Sequence, residues 1–178
     1  TWTAQVVDES THKTGVNAVS WAPVVEEESK ALREFRGETV EAPVKRLVTG
    51  GCDNLIKLWR YSDENAKWEE ETKLELHTDW VRDVAFAPTF GALGLMIASC
   101  SQDKKVVIWH QAAGTTEWKP TVINFGCAVW RVSWSVTGNL LAVSCGDHTV
   151  TLWKQSLNGE WAKVSDVTDE GVQDVKSS

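Results

Sequence analysis

Leu47-Val-Thr-Gly-Gly-Cys-Asp53-Asn-Leu-Ile-Lys-Leu-Trp59 recurs twice more in altered form. The other copies read Ile97-Ala-Ser-Cys-Ser-Gln-Asp103-Lys-Lys-Val-Val-Ile-Trp109 and Leu141-Ala-Val-Ser-Cys-Gly-Asp147-His-Thr-Val-Thr-Leu-Trp153, and in each an aspartate stands six residues ahead of a tryptophan. Two short apolar runs joined by a tight Asp-bearing turn read as a β-hairpin. Upstream lie Val16-Asn-Ala-Val-Ser-Trp21, Val81-Arg-Asp-Val-Ala-Phe86 and Val129-Trp-Arg-Val-Ser-Trp134, with Val at the first and fourth places and an aromatic at the sixth, a β-rich pattern. Downstream, after a polar turn, another tryptophan follows at Trp68, Trp118 and Trp161, and Trp2 holds the same place ahead of the first unit.

Each unit therefore reads as four strands, repeating at intervals of 50 (Asp53 to Asp103) and 44 (Asp103 to Asp147). Four strands in a period of about 40 to 50 residues mark a β-propeller blade. A β-sandwich also uses short strands but would not repeat one Asp-to-Trp spacing three times. The expected fold is all-β: three four-stranded blades plus one leading strand over 1–167. The segments are 1–8 for an outer strand of a preceding blade, then blades at 12–73, 77–123 and 125–167, with a flexible tail at 168–178 that lacks aromatics and apolar periodicity. The connection after the first strand is longest in unit one, so 24–45 is an insertion, read as a loop or one marginal helical turn.

Three blades and a strand cannot close a ring of about four to eight. The sequence opens in mid-strand at Thr1-Trp2-Thr3, which reads as part of something longer. A terminal blade would expose apolar area and unpaired edges, so the remaining blades of the propeller or another chain must cover it.

At 178 residues, 42% hydrophobic and 24% charged, the chain is long enough for a sizeable core, and its formal charge of −7 disfavours nucleic acid and anionic lipid as partners. The longest apolar stretch, Phe90 to Cys100, is about half of the ~20 residues a spanning helix requires. Cys52, Cys100, Cys127 and Cys145 show no metal-ligand spacing and are expected to be buried free thiols in a reducing compartment. No metal and no cofactor is expected.

Two constellations, His12–Thr49–Asp53–Trp59 and His77–Ser99–Asp103–Trp109, have the residue types of a catalytic relay, but their place around a tight turn suits a structural network. Unit three keeps Asp147 and Trp153 while Phe125 and Val143 stand where His and Ser/Thr are aligned, a loss that a scaffold tolerates and a catalytic centre does not. No catalytic residue is assigned. Trp80, Arg82, Asp83, Trp130 and Arg131 lie at strand starts and are candidates for partner binding at an end face of the propeller.

The blocks Gly50-Gly-Cys-Asp-Asn-Leu-Ile-Lys-Leu-Trp59, His77-Thr-Asp-Trp-Val-Arg-Asp-Val-Ala-Phe-Ala-Pro88, Ala98-Ser-Cys-Ser-Gln-Asp103 and Val150-Thr-Leu-Trp-Lys154 resemble WD-repeat propellers, and among them the small propeller subunits of the COPII vesicle coat's outer cage. The likeness runs from about Trp2 to Asp166 and corresponds to the C-terminal half of that family. It implies an open six-bladed propeller completed by three strands inserted from a large helical partner, with Ala128 to Val167 bordering the insert. The implied partners are the large outer-coat subunit in ER-to-Golgi transport and a scaffold nucleoporin of the Y-shaped nuclear pore subcomplex, which also links the family to mRNA transport. The implied location is cytoplasmic: at ER exit sites, on the vesicle membrane through the coat alone, and at the nuclear pore. Arg60, His110 and Lys154 follow the strand-ending tryptophans, so the family's Trp-Asp dipeptide is absent. A peptide-reading adaptor and the paralogous propeller nucleoporin are the alternatives.

Overall fold

The computed structural model describes residues 4, 6–23, 44–88, 94–156, 158–168 and 171–174. Every regular element among them is a β-strand, and the strands form three antiparallel sheets in sequence order. The first sheet contains β1 (Val16–Trp21), β2 (Arg46–Gly51), β3 (Leu55–Ser62) and β4 (Lys67–Glu75); the second contains β5 (Val81–Phe86), β6 (Leu95–Ser101), β7 (Lys105–Gln111) and β8 (Lys119–Asn124). The third runs β9 (Val129–Trp134), β10 (Leu140–Cys145), β11 (Val150–Gln155), β12 (Trp161–Thr168) and β13 (Gly171–Asp174).

The repeated blocks fold alike to the register. Leu47 faces Trp59, Ile97 faces Trp109 and Leu141 faces Trp153, so the first and last residues of each quoted block are cross-strand partners. The residue after each turn aspartate, Asn54, Lys104 or His148, has a φ of 68°, 68° or 67°, the left-handed bend that lets so short a turn reverse the chain.

Strands β5, β6 and β7 of the second sheet are largely buried, whereas β8 at its outer edge is exposed apart from Ile123. Val48, Ile56, Leu58, Val81, Val84 and Ile97 pack between the first and second sheets, while Cys100, Val106, Ile108, Val129, Val132 and Leu141 pack between the second and third. Such strands read as continuous apolar runs, as Lys105-Val-Val-Ile-Trp109 does after its first residue. Gly50 is required here, because a Cβ at that position would stand 2.7 Å from Val81 Cγ1 and 2.9 Å from Val84 Cγ1. Among the described residues the outer sheets have no second sheet packed on them. On β1, Val19 and Trp21 are 63% and 65% exposed.

Three details depart from the sequence reading. Residues 168–178, expected to be a flexible tail, supply β13, which pairs with β12 from Ser165↔Asp174 to Thr168↔Gly171. A polar strand that covers a sheet edge needs only its backbone, so apolar periodicity does not reveal it. Trp118 precedes β8 instead of lying within it, and packs against the first core cluster. Among the described residues of 1–8 no strand is formed, while Trp2 and the insertion over 24–43 lie outside the described residues.

Candidate functional site

Units one and two assemble the same four-residue network at the end of the sheet. His12 Nδ1 lies 2.7 Å from Asp53 Oδ1 and its Nε2 lies 2.9 Å from Thr49 Oγ1, which accepts a hydrogen bond from Trp59 Nε1 at 3.0 Å. In unit two, His77 Nδ1 lies 3.0 Å from Asp103 Oδ2, His77 Nε2 lies 2.9 Å from Ser99 Oγ, and Trp109 Nε1 donates to Ser99 Oγ at 3.0 Å. Asp103 also accepts from the Thr78 and Lys105 amides, each at 3.0 Å, so one carboxylate ties the preceding loop, the imidazole and its own turn together.

Burial pushes the His77 imidazole below its ordinary 6.5, only partly offset by the Asp103 charge, so the ring is neutral at pH 7. For Asp103, burial acts to raise the carboxyl, but the Thr78 amide, the charge and hydrogen bond of His77 and the Lys105 amide outweigh it and hold it below the usual carboxylate range. A neutral ring beside a carboxylate donates from Nδ1, leaving Nε2 to accept the Ser99 hydroxyl proton. The chain of donors thus runs Trp109 to Ser99 to His77 to Asp103 with every group satisfied. Ser99 is 0% exposed and already receives the indole N–H, so no substrate carbonyl can approach its oxygen. The hydrogen bonds of the network link the preceding loop, two strands and the turn.

Unit three solves the same problem differently. Phe125 and Trp153 pack in a T-shaped arrangement with ring centroids 5.5 Å apart where the other units have an imidazole, and Trp153 Nε1 donates 2.8 Å to Thr151 Oγ1 on its own strand. Asp147, fully exposed, accepts from the Thr149 hydroxyl and amide, which hold its carboxyl low. Beside it, Cys127 from the β8–β9 loop meets Cys145 from the end of β10, and the two sulfurs and an Asp147 carboxylate oxygen all lie within 4.8 Å of one another. Cys145 is buried, and burial together with the Cys127 thiol pushes its own thiol up to about 12. Cys100 is buried too, whereas Cys52 and Cys127 are half-buried, which corrects the expectation that all four would be buried.

Of the five rim candidates, three come together. The Arg82 guanidinium sits 5.0 Å from the Trp80 ring centroid and 4.5 Å from that of Trp130, and it donates to Gln102 Oε1. Both tryptophans are 45% exposed. Cation–π stacking of this kind fixes a guanidinium between two aromatic faces. Arg131 is exposed nearby in sequence without joining the stack. Asp83 is a correction to the rim assignment. It turns inward, 9% exposed, and accepts from the Val84 amide at 3.0 Å and from the Val132 amide of the third sheet at 3.1 Å. A register shift between Val81 and Asp83 is the cause, since the extra residue, Arg82, is thrown outward and Asp83 inward.

The "WD domain, G-beta repeat" family model matches residues 68–110 and 120–154. The "Protein SEC13 homolog" of Drosophila melanogaster is 44% identical over 99% of this chain and 49% of its own length, and that of Homo sapiens is 49% identical over 88% of this chain and 48% of its own. The "Protein transport protein SEC13" of Mycosarcoma maydis is 43% identical over 94% of this chain and 51% of its own. The chain thus spans about half the length of the curated relatives it matches. The crystal structure of Saccharomyces cerevisiae Sqt1 aligns at a TM-score of 0.65 with 16% identity, over 88% of this chain and 35% of that one, a likeness of fold alone.

Proposed function

We propose, from its likeness to SEC13 homologues and to WD-repeat sequences, that the chain is a SEC13-type WD-repeat protein and a non-catalytic scaffold in protein transport, one part of an open propeller that a large helical partner completes by strand insertion. The vesicle coat of ER-to-Golgi transport and the nuclear pore Y-complex are the settings this reading assigns, and unit three is the blade that borders the insert. The observation that supports it is the asymmetry of burial. Strands β5 to β7 of the second sheet are buried between their neighbours, whereas the outer sheets expose apolar side chains, Val19 and Trp21 on β1 and Val164 on β12. Exposed apolar flanks of this kind attract packed neighbours. Native purification of the full-length protein with mass-spectrometric identification tests the proposal. A long helical-repeat protein is expected in stoichiometric amount; a closed, monomeric ring without it would overturn the reading.

A peptide-reading role is favoured by one feature, the exposed Trp80–Arg82–Trp130 stack. Replacing Arg82 and Trp130 with alanine separates the two readings. A peptide reader loses more than about tenfold in affinity for its ligand, while a strand-insertion scaffold keeps its partner.

A further inference from the structure

The geometry points to a metal-binding site for a borderline-soft divalent cation of the zinc class, formed by Cys127 Sγ, Cys145 Sγ and an Asp147 carboxylate oxygen. These donors come from two separate connections, the β8–β9 loop and the end of β10 with its turn, and all three atoms lie within 4.8 Å of one another. Tetrahedral zinc, with Zn–S near 2.3 Å and Zn–O near 2.1 Å, separates its ligand atoms by roughly 3.5 to 3.8 Å, so closure requires a shift of about 1 Å. Two sulfurs and one oxygen favour zinc over magnesium or calcium, which take oxygen ligands. The cluster opens into a cleft of ≈ 770 Å³ bordered by His148, Thr149 and Lys163, so solvent reaches the fourth position.

The repeat explains why, among the described residues, the donors meet in this unit. Counting back from the turn aspartate, Gly51, Ser101 and Cys145 occupy one place. In unit one a Cβ there would stand 2.3 Å from His12 Nδ1, so the imidazole fills the space a side chain would take. In unit two Ser101 turns its hydroxyl to Asp79 O at 2.9 Å. Phe125 brings no imidazole to Asp147, and the two cysteines occupy the vacated flank of the carboxylate. A bound cation would therefore restore in unit three the clamp between preceding loop and turn that His12 and His77 provide in the other two.

The test uses full-length protein, reduced and stripped with a chelator, then titrated with Zn²⁺ alone and with Co²⁺ as a spectroscopic probe. The expected result is one Zn²⁺ per chain, a Co²⁺ complex with sulfur-to-metal charge transfer of two thiolates, and a raised melting temperature. Cys127→Ser and Cys145→Ser should each weaken binding about 100-fold and halve the charge-transfer intensity, because a serine hydroxyl does not ionise to replace a thiolate. Cys127 is half-buried and Asp147 exposed, so Cys127→Ser and Asp147→Asn keep the test valid if Cys145→Ser fails to fold. A Cys52→Ser/Cys100→Ser variant should bind as the parent does. Absence of binding at 10-fold excess Zn²⁺, or binding that survives Cys127→Ser, would overturn the site.

Discussion

At the residue scale the four-residue networks make unequal demands, and the inequality is testable. Ser99 Oγ accepts the Trp109 indole and supplies the proton that His77 Nε2 takes, all within full burial. Ser99→Ala strands two buried groups, so urea denaturation should show a loss of about 2 to 4 kcal/mol, one desolvation penalty for each. Thr151→Ala removes the equivalent partner from Trp153, which is only half-buried, so water can take its place and the expected loss is below about 1 kcal/mol. The pH response follows from the same groups. Below pH 6.5 the unfolded chain protonates its His77 while the folded chain, with that ring held low, does not, so stability falls as pH drops through the window from 6.5 to the folded value. Asp53 and Asp103, also held low, extend the loss below 3.8, whereas Asp83, raised chiefly by burial, contributes stability at acid pH that is lost as pH rises through its folded value. Urea midpoints between pH 7 and pH 5 should therefore decline, and His77→Gln should flatten the slope. These networks are legible in units one and two because Thr49 or Ser99, the turn aspartate and the tryptophan keep one spacing and each histidine stands four residues before the first strand of its unit. The Cys127–Cys145–Asp147 cluster is not, since no motif spacing joins 127 to 145 and only the strand register brings them together.

At the element scale the hairpin turns carry a conformational cost that varies with one residue. Asn54, Lys104 and His148 share the left-handed bend, which a short amide side chain tolerates and a lysine adopts only at a conformational cost. Lys104→Gly should raise stability by about 0.5 to 1 kcal/mol, the left-handed penalty less glycine's extra entropy in the unfolded chain, while Asn54→Gly should be near neutral. Thermal melts of the two variants check the difference. Strand packing sets the opposite limit at Gly50, where the added methyl of Gly50→Ala meets Val81 and Val84 on β5 and forces the sheets apart. The expected loss is about 1 to 3 kcal/mol. The paired hairpins β2–β3, β6–β7 and β10–β11 are legible from the Asp-to-Trp spacing because register and turn chemistry are local. β13 and the position of Trp118 are not, because an edge strand and a loop tryptophan are decided by what lies beside them in space.

At the scale of the molecule the sheets are joined by polar links as well as by apolar cores, and some of those links come from one irregularity repeated in the first strand of each sheet. A register shift in β1, β5 and β9 leaves Asn17, Arg82 and Trp130 as the extra residues. Asn17 Nδ2 donates 2.8 Å to Val81 O across the first interface, and Arg82 lies over the Trp130 ring across the second. Ser20 Oγ accepts from the Phe86 amide at 3.1 Å, and Trp134 Nε1 donates to Ala85 O at 3.0 Å. Asp83 is the buried member of this set, and its carboxylate caps the Val132 amide of the third sheet. Stability in such an array is a sum of sheet terms and interface terms, so weakening one interface should separate the unfolding of the sheets it joins. Asp83→Ala leaves the Val132 amide buried without a partner and should cost about 1 to 3 kcal/mol. The loss should fall unevenly: hydrogen exchange should accelerate along β9, β10 and β11 while β2 and β3 keep their protection. Asn17→Ala lies at the exposed edge of the first interface and should leave the third sheet unchanged. Uniform acceleration across all three sheets in Asp83→Ala would mean that the array unfolds as one unit and that its interfaces are not separable.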